Sequence, residues 1–149
     1  MERTLILLKP DALQRGLAGE IISRMEQRGL KFVGMKLMQL DDATARRHYA
    51  EHEGKPFLDS LIGFITSGPL IAAALEGPNA IELVRKQMGA TDPQNADSGT
   101  IRGDLALFVQ YNLIHGSDSP ESAERELALL FGEGELVSWE RNIDQWVFE

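Results

Sequence analysis

The reactive repertoire of this chain is narrow. It has three histidines and no cysteine. Thiolate chemistry, disulfides and cysteine-type zinc sites are therefore excluded, and imidazoles and carboxylates remain. His48 and His52 are four residues apart in His48-Tyr49-Ala50-Glu51-His52, which puts them on one helix face. The glutamate is misplaced for the H-E-x-x-H zinc pattern, so both are expected to be partly exposed beside Arg46, Arg47 and Glu51. His115 is set differently. It ends the apolar run Asn112-Leu113-Ile114-His115 and is followed at once by Gly116-Ser117-Asp118-Ser119-Pro120. Such a position suits a structural turn and a nucleophile alike.

A neutral imidazole is a nucleophile near neutral pH, its reference pKa being about 6.5. Attack on phosphorus needs the ring held in one tautomer by a partner on its other nitrogen. The helix expected after His115 offers Glu121, Glu124 and Glu126, and its free N–H groups favour an anion near the turn. Phosphoryl chemistry is mostly positioning and charge stabilisation, so cations are needed too. Lys9 interrupts an apolar strand just before Pro10-Asp11, and Arg85 and Arg102 flank an irregular stretch. The standard phosphate motifs fail. Gly29 and Gly34 have P-loop spacing, but Met35 follows where lysine is required, and Gly132-Glu133-Gly134 lacks the third glycine of a dinucleotide pattern.

The elements that must position these groups can be read from pattern. Thr4–Leu8 reads as a strand stopped by Pro10. A helix opens at Gly19-Glu20, carries Ile21, Ile22 and Met25 on one face and closes at Gly29. Lys31–Leu40 reads as a strand whose alternation slips near Gly34, as at a bulge. Asp41-Asp42 caps a helix through Ala50, and Phe57–Ile65 is a second helical run. After the Ser67-Gly68-Pro69 turn, Leu70–Leu75 reads as a buried strand, and Ala80–Met88 as a helix ended by Gly89. Residues 90–103 have almost no periodicity, which in a compact domain marks a functional loop. Leu105–Val109 fits helix or strand equally. Asn112–His115 reads as a strand, and a helix from Ser119-Pro120 runs to Phe131. The order β-α-β-αα-β-α-loop-β-α predicts one α/β domain over 1–149, with helices mainly on one face of one sheet.

Composition bounds the partners. The 149 residues carry 15 Lys+Arg against 23 Asp+Glu, a net charge of −8, which argues against a dedicated nucleic-acid or anionic-membrane binder. The excess is uneven. Residues 117–149 hold nine acids and two bases, read as a solvated acidic C-terminal helix, whereas residues 1–116 are nearly neutral and leave room for a cationic pocket. No apolar stretch has a signal-peptide core or the roughly 20 residues of a membrane span, so the expected location is cytoplasmic.

The octet Asn112-Leu113-Ile114-His115-Gly116-Ser117-Asp118-Ser119 closely resembles the active-site signature of nucleoside diphosphate kinases. Further motifs follow in the family's order across essentially the whole chain. They are Lys9-Pro10-Asp11 with Gln14-Arg15-Gly16, His48-Tyr49, Lys55-Pro56-Phe57, Ser67-Gly68-Pro69, Gly99-Thr100-Ile101-Arg102-Gly103-Asp104 and Glu121-Ser122-Ala123-Glu124. Two positions depart from the common pattern. Gln110-Tyr111 stands where Gly-Arg is usual, and Ser98 where proline is usual.

The resemblance implies a ping-pong transfer of the γ-phosphate from a nucleoside triphosphate, mainly ATP, to a nucleoside diphosphate, maintaining NTP and dNTP pools. It implies a ferredoxin-like βαββαβ α+β sandwich with a four-stranded antiparallel sheet and helices on its faces. His115 then corresponds to the phosphorylated nucleophile, Glu126 to the acid that orients it, Lys9 to the lysine near the transferred phosphate and Tyr49 to the tyrosine beside the histidine. Arg85, Thr91 and Arg102 correspond to phosphate contacts, Asn112 to a sugar contact, and Phe57 and Val109 to the two sides of the base. A stacked base would explain broad base tolerance. Mg²⁺ is expected to ride on the nucleotide phosphates with few or no protein ligands, and the chain to form a homo-oligomer, tetramer or hexamer. Two other readings share these residues: a different histidine phosphotransferase or phosphatase, and a nucleotide-binding regulatory module without catalysis.

Overall fold

Leu5, Ile6, Leu7 and Leu8 are all fully buried, an unbroken apolar run of the kind a strand shows when both of its faces are covered. The computed structural model, which describes residues 1–149, accounts for it. This strand, β1 (Glu2–Leu8), lies inside an antiparallel sheet whose other strands are β2 (Lys31–Met38), β3 (Leu70–Gly77) and β4 (Ile114–Gly116), in the order β2-β3-β1-β4. It pairs with β3 from Glu2↔Gly77 to Leu8↔Ile71 and with β4 from Ile6↔Gly116 to Leu8↔Ile114. The helices are α1 (Pro10–Gln14), α2 (Ala18–Arg28), α3 (Asp42–His48), α4 (Leu58–Ile65), α5 (Ala80–Met88), α6 (Ile101–Leu105) and α7 (Pro120–Leu130). With α2 between β1 and β2 and α5 between β3 and β4, the connectivity is the ferredoxin-like βαββαβ.

The helices cover both faces, not mainly one. Ile6, Leu8, Ala73 and Leu75 of the sheet pack with Ile21 and Met25 of α2 and with Ala80, Val84 and Met88 of α5. On the other face Leu5, Leu7, Ala72 and Ala74 pack with Ala45 of α3, Leu58, Ile62 and Ile65 of α4, and Leu130 of α7. The one-face expectation failed because β1 lacks the polar alternation of a strand with a wet side, and that absence is itself the sign of two cores.

Local signals set most boundaries. Gly29 ends α2 in the left-handed region at φ 104°, where a β-carbon is strained. The Asp41 carboxylate accepts from Thr44 N to start α3, and Ser119 Oγ accepts from Ser122 N to start α7, with Pro120 in the first turn. The β2–β3 register shifts between Phe32 and Gly34, so the slip read in the sequence is a bulge. Of the boundaries that differ from expectation, three have a plain cause. The irregular stretch is shorter, because Thr100 caps α6 by accepting from Gly103 N. The last strand begins at Ile114, because Leu113 has φ 73° and breaks the extended run. The acidic C-terminal region is helical only to Leu130. Beyond it the chain runs back along β2, where Val137 N donates to Val33 O at 2.7 Å and Trp139 Nε1 to Phe32 O at 2.9 Å.

Candidate active site

β4 decides which way His115 faces. Ile114 belongs to the core on the α2–α5 side, so alternation turns His115 toward the face that carries α3 and α7. Gly116 follows because α5 lies close beneath it. A β-carbon there would stand 2.5 Å from Met88 Sδ and 3.3 Å from Val84 Cγ1. On α7 the buried positions are Ala123, Glu126 and Leu130. Glu126 therefore sits on the helix's apolar stripe and points at the sheet.

There its Oε1 lies 2.9 Å from His115 Nε2 and accepts a hydrogen bond from Ser117 Oγ at 2.7 Å. Burial pushes the Glu126 carboxyl up, but the hydrogen bonds from His115 and Ser117 outweigh it and hold it below the usual glutamate range. The glutamate is thus a buried carboxylate that fixes one nitrogen of the imidazole. The His115 side chain remains 23% exposed, open to a cleft of about 460 Å³.

The cations enter from three elements. Pro10 starts α1 and forces Lys9, the residue before it, to stay extended at φ −70°, ψ 165°. Lys9 Nζ donates to Asn112 Oδ1 at 2.8 Å, and Asn112 Nδ2 donates to Thr91 O at 3.0 Å. Burial, and then the neighbouring Arg102 charge, lower the Lys9 pKa to about 8. Arg102 of α6 donates to Asn112 O at 3.2 Å, Gly89 O at 3.2 Å and Ile114 O at 2.5 Å. It braces the segment leading into β4 as well as lining the cleft. Burial and Arg85 lower its pKa to about 10, so it stays charged at neutral pH. Arg85 of α5 donates to Gly116 O at 3.2 Å.

Lys9, Tyr49, Arg85, Thr91, Arg102, Asn112, His115 and Glu126 all line this one cleft. Phe57 and Val109 do not. They are 46% and 50% exposed, and the Phe57 ring packs edge-on to His52, 5.3 Å between centroids. Tyr49 reaches the centre through another ring. It stacks edge-on to His48 at 4.8 Å, and His48 in turn to His115 at 4.7 Å. His48 was expected to be partly exposed and is buried instead, 2% exposed. The sequence hid this because Arg46 and Arg47 beside it read as a solvated face, whereas α3 packs on α7. Arg125 of α7 holds that contact, donating to the Arg47 and His48 carbonyls at 3.4 and 3.5 Å. Burial, then repulsion from His115, lowers the His48 pKa to about 3. Burial raises the Tyr49 hydroxyl to about 12. Both are neutral at physiological pH. Asp118, Lys55 and Glu51 also line the cleft; Asp118 and Lys55 lie within the motifs quoted above but were given no role.

Fold and cleft together define a ferredoxin-like sandwich protein with an acid-oriented histidine facing a cluster of cations, an arrangement suited to handling an anionic group. The nucleoside diphosphate kinase family model matches residues 2–136, and the chain belongs to that family. A nucleoside diphosphate kinase of Thermomicrobium roseum is 63% identical over 147 residues, covering 99% of each chain. One of Roseiflexus castenholzii is 61% identical over 149 residues, covering 100% of each. Among solved structures, a halophilic nucleoside diphosphate kinase from Halobacterium salinarum in complex with CDP matches with a TM-score of 0.97 at 53% identity, covering 99% of each chain.

Proposed function

We propose that this protein transfers the γ-phosphoryl group of a nucleoside triphosphate, mainly ATP, to a nucleoside diphosphate through a phosphohistidine at His115, and so maintains NTP and dNTP pools. The observation that carries this reading is the 2.9 Å contact between His115 Nε2 and the buried Glu126 carboxylate. With Nε2 protonated and donating to Glu126, the lone pair sits on Nδ1, the nitrogen free to attack. Nδ1 attacks the γ-phosphorus, the N–P bond forms and the bond to the β,γ-bridging oxygen breaks. That oxygen leaves with its electron pair as part of the diphosphate. The ring keeps its Nε2 proton and its new positive charge faces Glu126. The second half reverses the first, with a terminal oxygen of a different nucleoside diphosphate as acceptor.

Lys9, Arg85 and Arg102 supply charge where the phosphates lie, and Thr91 a further phosphate contact. Asn112, held by Lys9 and the Thr91 carbonyl, is placed for the sugar. Tyr49 backs the ring pair His48–His115. Phe57 and Val109, both exposed, are the surfaces for the base. They offer faces rather than hydrogen-bond patterns, which tolerates every base. Mg²⁺ enters as part of the substrate. We take the protein to act in the cytoplasm as a homo-oligomer, tetramer or hexamer, without a nucleic-acid or membrane partner. No helix is long and apolar enough to cross a membrane.

The test is incubation with γ-labelled ATP alone. An acid-labile phosphoenzyme is expected, and it passes its label to added nucleoside diphosphate. Full transfer by His115→Ala would overturn the nucleophile assignment, and label released only as inorganic phosphate would make the protein a phosphatase.

A further inference from the structure

His48 is the buried side chain at the centre of the site to which the phosphoryl chemistry gives no task. Both of its ring nitrogens are buried and neither has a hydrogen-bond partner. An unpaired buried polar group costs roughly 1–3 kcal/mol, and each such group calls for an explanation. Its ring faces His115 edge-on at 4.7 Å. One ligand atom each from His48, His115 and Glu126 all lie within 4.8 Å of one another.

We propose that His48, His115 and Glu126 form a binding site for a divalent transition-metal ion of the zinc class. Two imidazoles and one carboxylate are a donor set that suits zinc. A tetrahedral zinc ion with bonds near 2.0–2.1 Å holds its ligand atoms about 3.3 Å apart. The three side chains therefore close by about 1.5 Å at the widest, within reach of small rotations, and the cleft leaves the fourth position open to water or phosphate. The opposing factors are the nearby cations. Lys9 and Arg125 act on His48 as positive charges, and Glu126 as the compensating negative one.

Binding has a consequence that rests on the phosphohistidine reading above. A metal on Nδ1 of His115 occupies the attacking lone pair. A metal on Nε2 replaces the Glu126 hydrogen bond and leaves the neutral ring's single proton on Nδ1. In both cases the ring is no longer a nucleophile, and hard Mg²⁺, which prefers oxygen and keeps its waters, does not have this effect.

Cobalt(II) tests the site, as a zinc surrogate with a coordination-sensitive visible spectrum. Nucleotide-free protein in excess Mg²⁺ is titrated with Co²⁺. Intense d–d bands of a low-coordinate ion are expected, and Zn²⁺ is expected to collapse them. In the Zn²⁺ form the ring ¹⁵N shifts of His48 and His115 are expected to move while those of His52 stay. His48→Gln, with its fold checked by circular dichroism, is expected to bind Co²⁺ more than about tenfold more weakly. The wild-type spectrum and ring shifts decide the matter even if that variant fails to fold. Labelling by γ-labelled ATP is measured on the same metal-free wild-type protein. Absent bands in protein that labels normally would overturn the metal site and leave the phosphohistidine reading intact. Bands in protein that takes up no label would do the reverse.

Discussion

Ser117 and His115 share one oxygen of Glu126. Ser117 Oγ donates to Oε1 at 2.7 Å and His115 Nε2 lies 2.9 Å from the same atom. The hydroxyl is fully buried and also receives the Leu5 amide at 3.4 Å, so Glu126 is anchored to the central strand. Ser117→Ala is expected to lower stability by about 1–3 kcal/mol and kcat by the order of tenfold, through a less well-fixed imidazole. Ser117 does not line the cleft, so KM for nucleotide should stay unchanged. Steady-state kinetics beside chemical denaturation checks both, and a change in KM with kcat intact would refute the positioning role.

His48 couples stability to acid. Its folded pKa is about 3 against 6.5 for an ordinary histidine, so between those values the unfolded chain binds a proton that the native state does not. Stability therefore rises with pH across that window and falls on acidification, by the order of 1 kcal/mol per pH unit. Denaturant titrations of wild type and His48→Gln at pH 7 and pH 5 are expected to show a shallower loss in the variant. Parallel slopes would mean the ring is protonated in the native state.

In the proposed role, Lys9 makes nucleotide binding sensitive to alkali. Its pKa in the empty cleft is about 8, and a bound polyphosphate favours the charged form. Affinity for nucleoside diphosphate is expected to decline as pH rises through about 8. Each unit by which the ligand raises that pKa is a factor of about 10 in affinity lost on the alkaline side. Lys9→Arg, which does not titrate there, is expected to flatten the profile, and equilibrium binding between pH 7 and 10 measures it.

Arg141 ties the C-terminal tail to the body. It donates to Gly29 O at 2.9 Å and Leu30 O at 3.4 Å and pairs with Asp144 at 2.7 Å while 13% exposed. It satisfies carbonyls at the left-handed end of α2. Arg141→Ala is expected to cost about 2 kcal/mol, or about 6 °C in Tm, with phosphoryl transfer at 25 °C unchanged. Calorimetry and an activity assay together test it.

How much of this was legible in the sequence depends on whether the cause is local. The caps at Asp41 and Ser119, the stop at Gly29 and the bulge near Gly34 are short-range effects, and each was readable. So was the pairing of His115 with an acid on the following helix, although spacing alone left Glu121, Glu124 and Glu126 open. Glu126 differs from the others because it falls on the stripe of Ala123 and Leu130. The burial of His48 was not readable, because it arises where α3 meets α7, two elements separated by more than 70 residues. The tail was misread for the same reason. Val137, Trp139 and Arg141 take their partners from Val33, Phe32, Gly29 and Leu30, none of which is near them in sequence. Leu113 at positive φ had no glycine or asparagine to announce it. Its amide is held by Asp11 Oδ2 at 3.1 Å and its carbonyl by the Lys9 amide at 2.9 Å, so the conformation is imposed from the far end of the chain.

β4 is only three residues long, yet its partner β1 is the most deeply covered strand of the molecule, with Leu5 to Leu8 all fully buried. The Ser117 amide just beyond it bonds to Leu5 O at 3.1 Å. The proposed nucleophile, His115, is thus carried by a segment that cannot peel away without disrupting both cores. Fraying near the histidine and collapse of the whole molecule become one event, and amide exchange at Ser117 should proceed at the slow limit set by global opening. Heat would then remove activity abruptly at the melting transition, with no gradual decline beneath it.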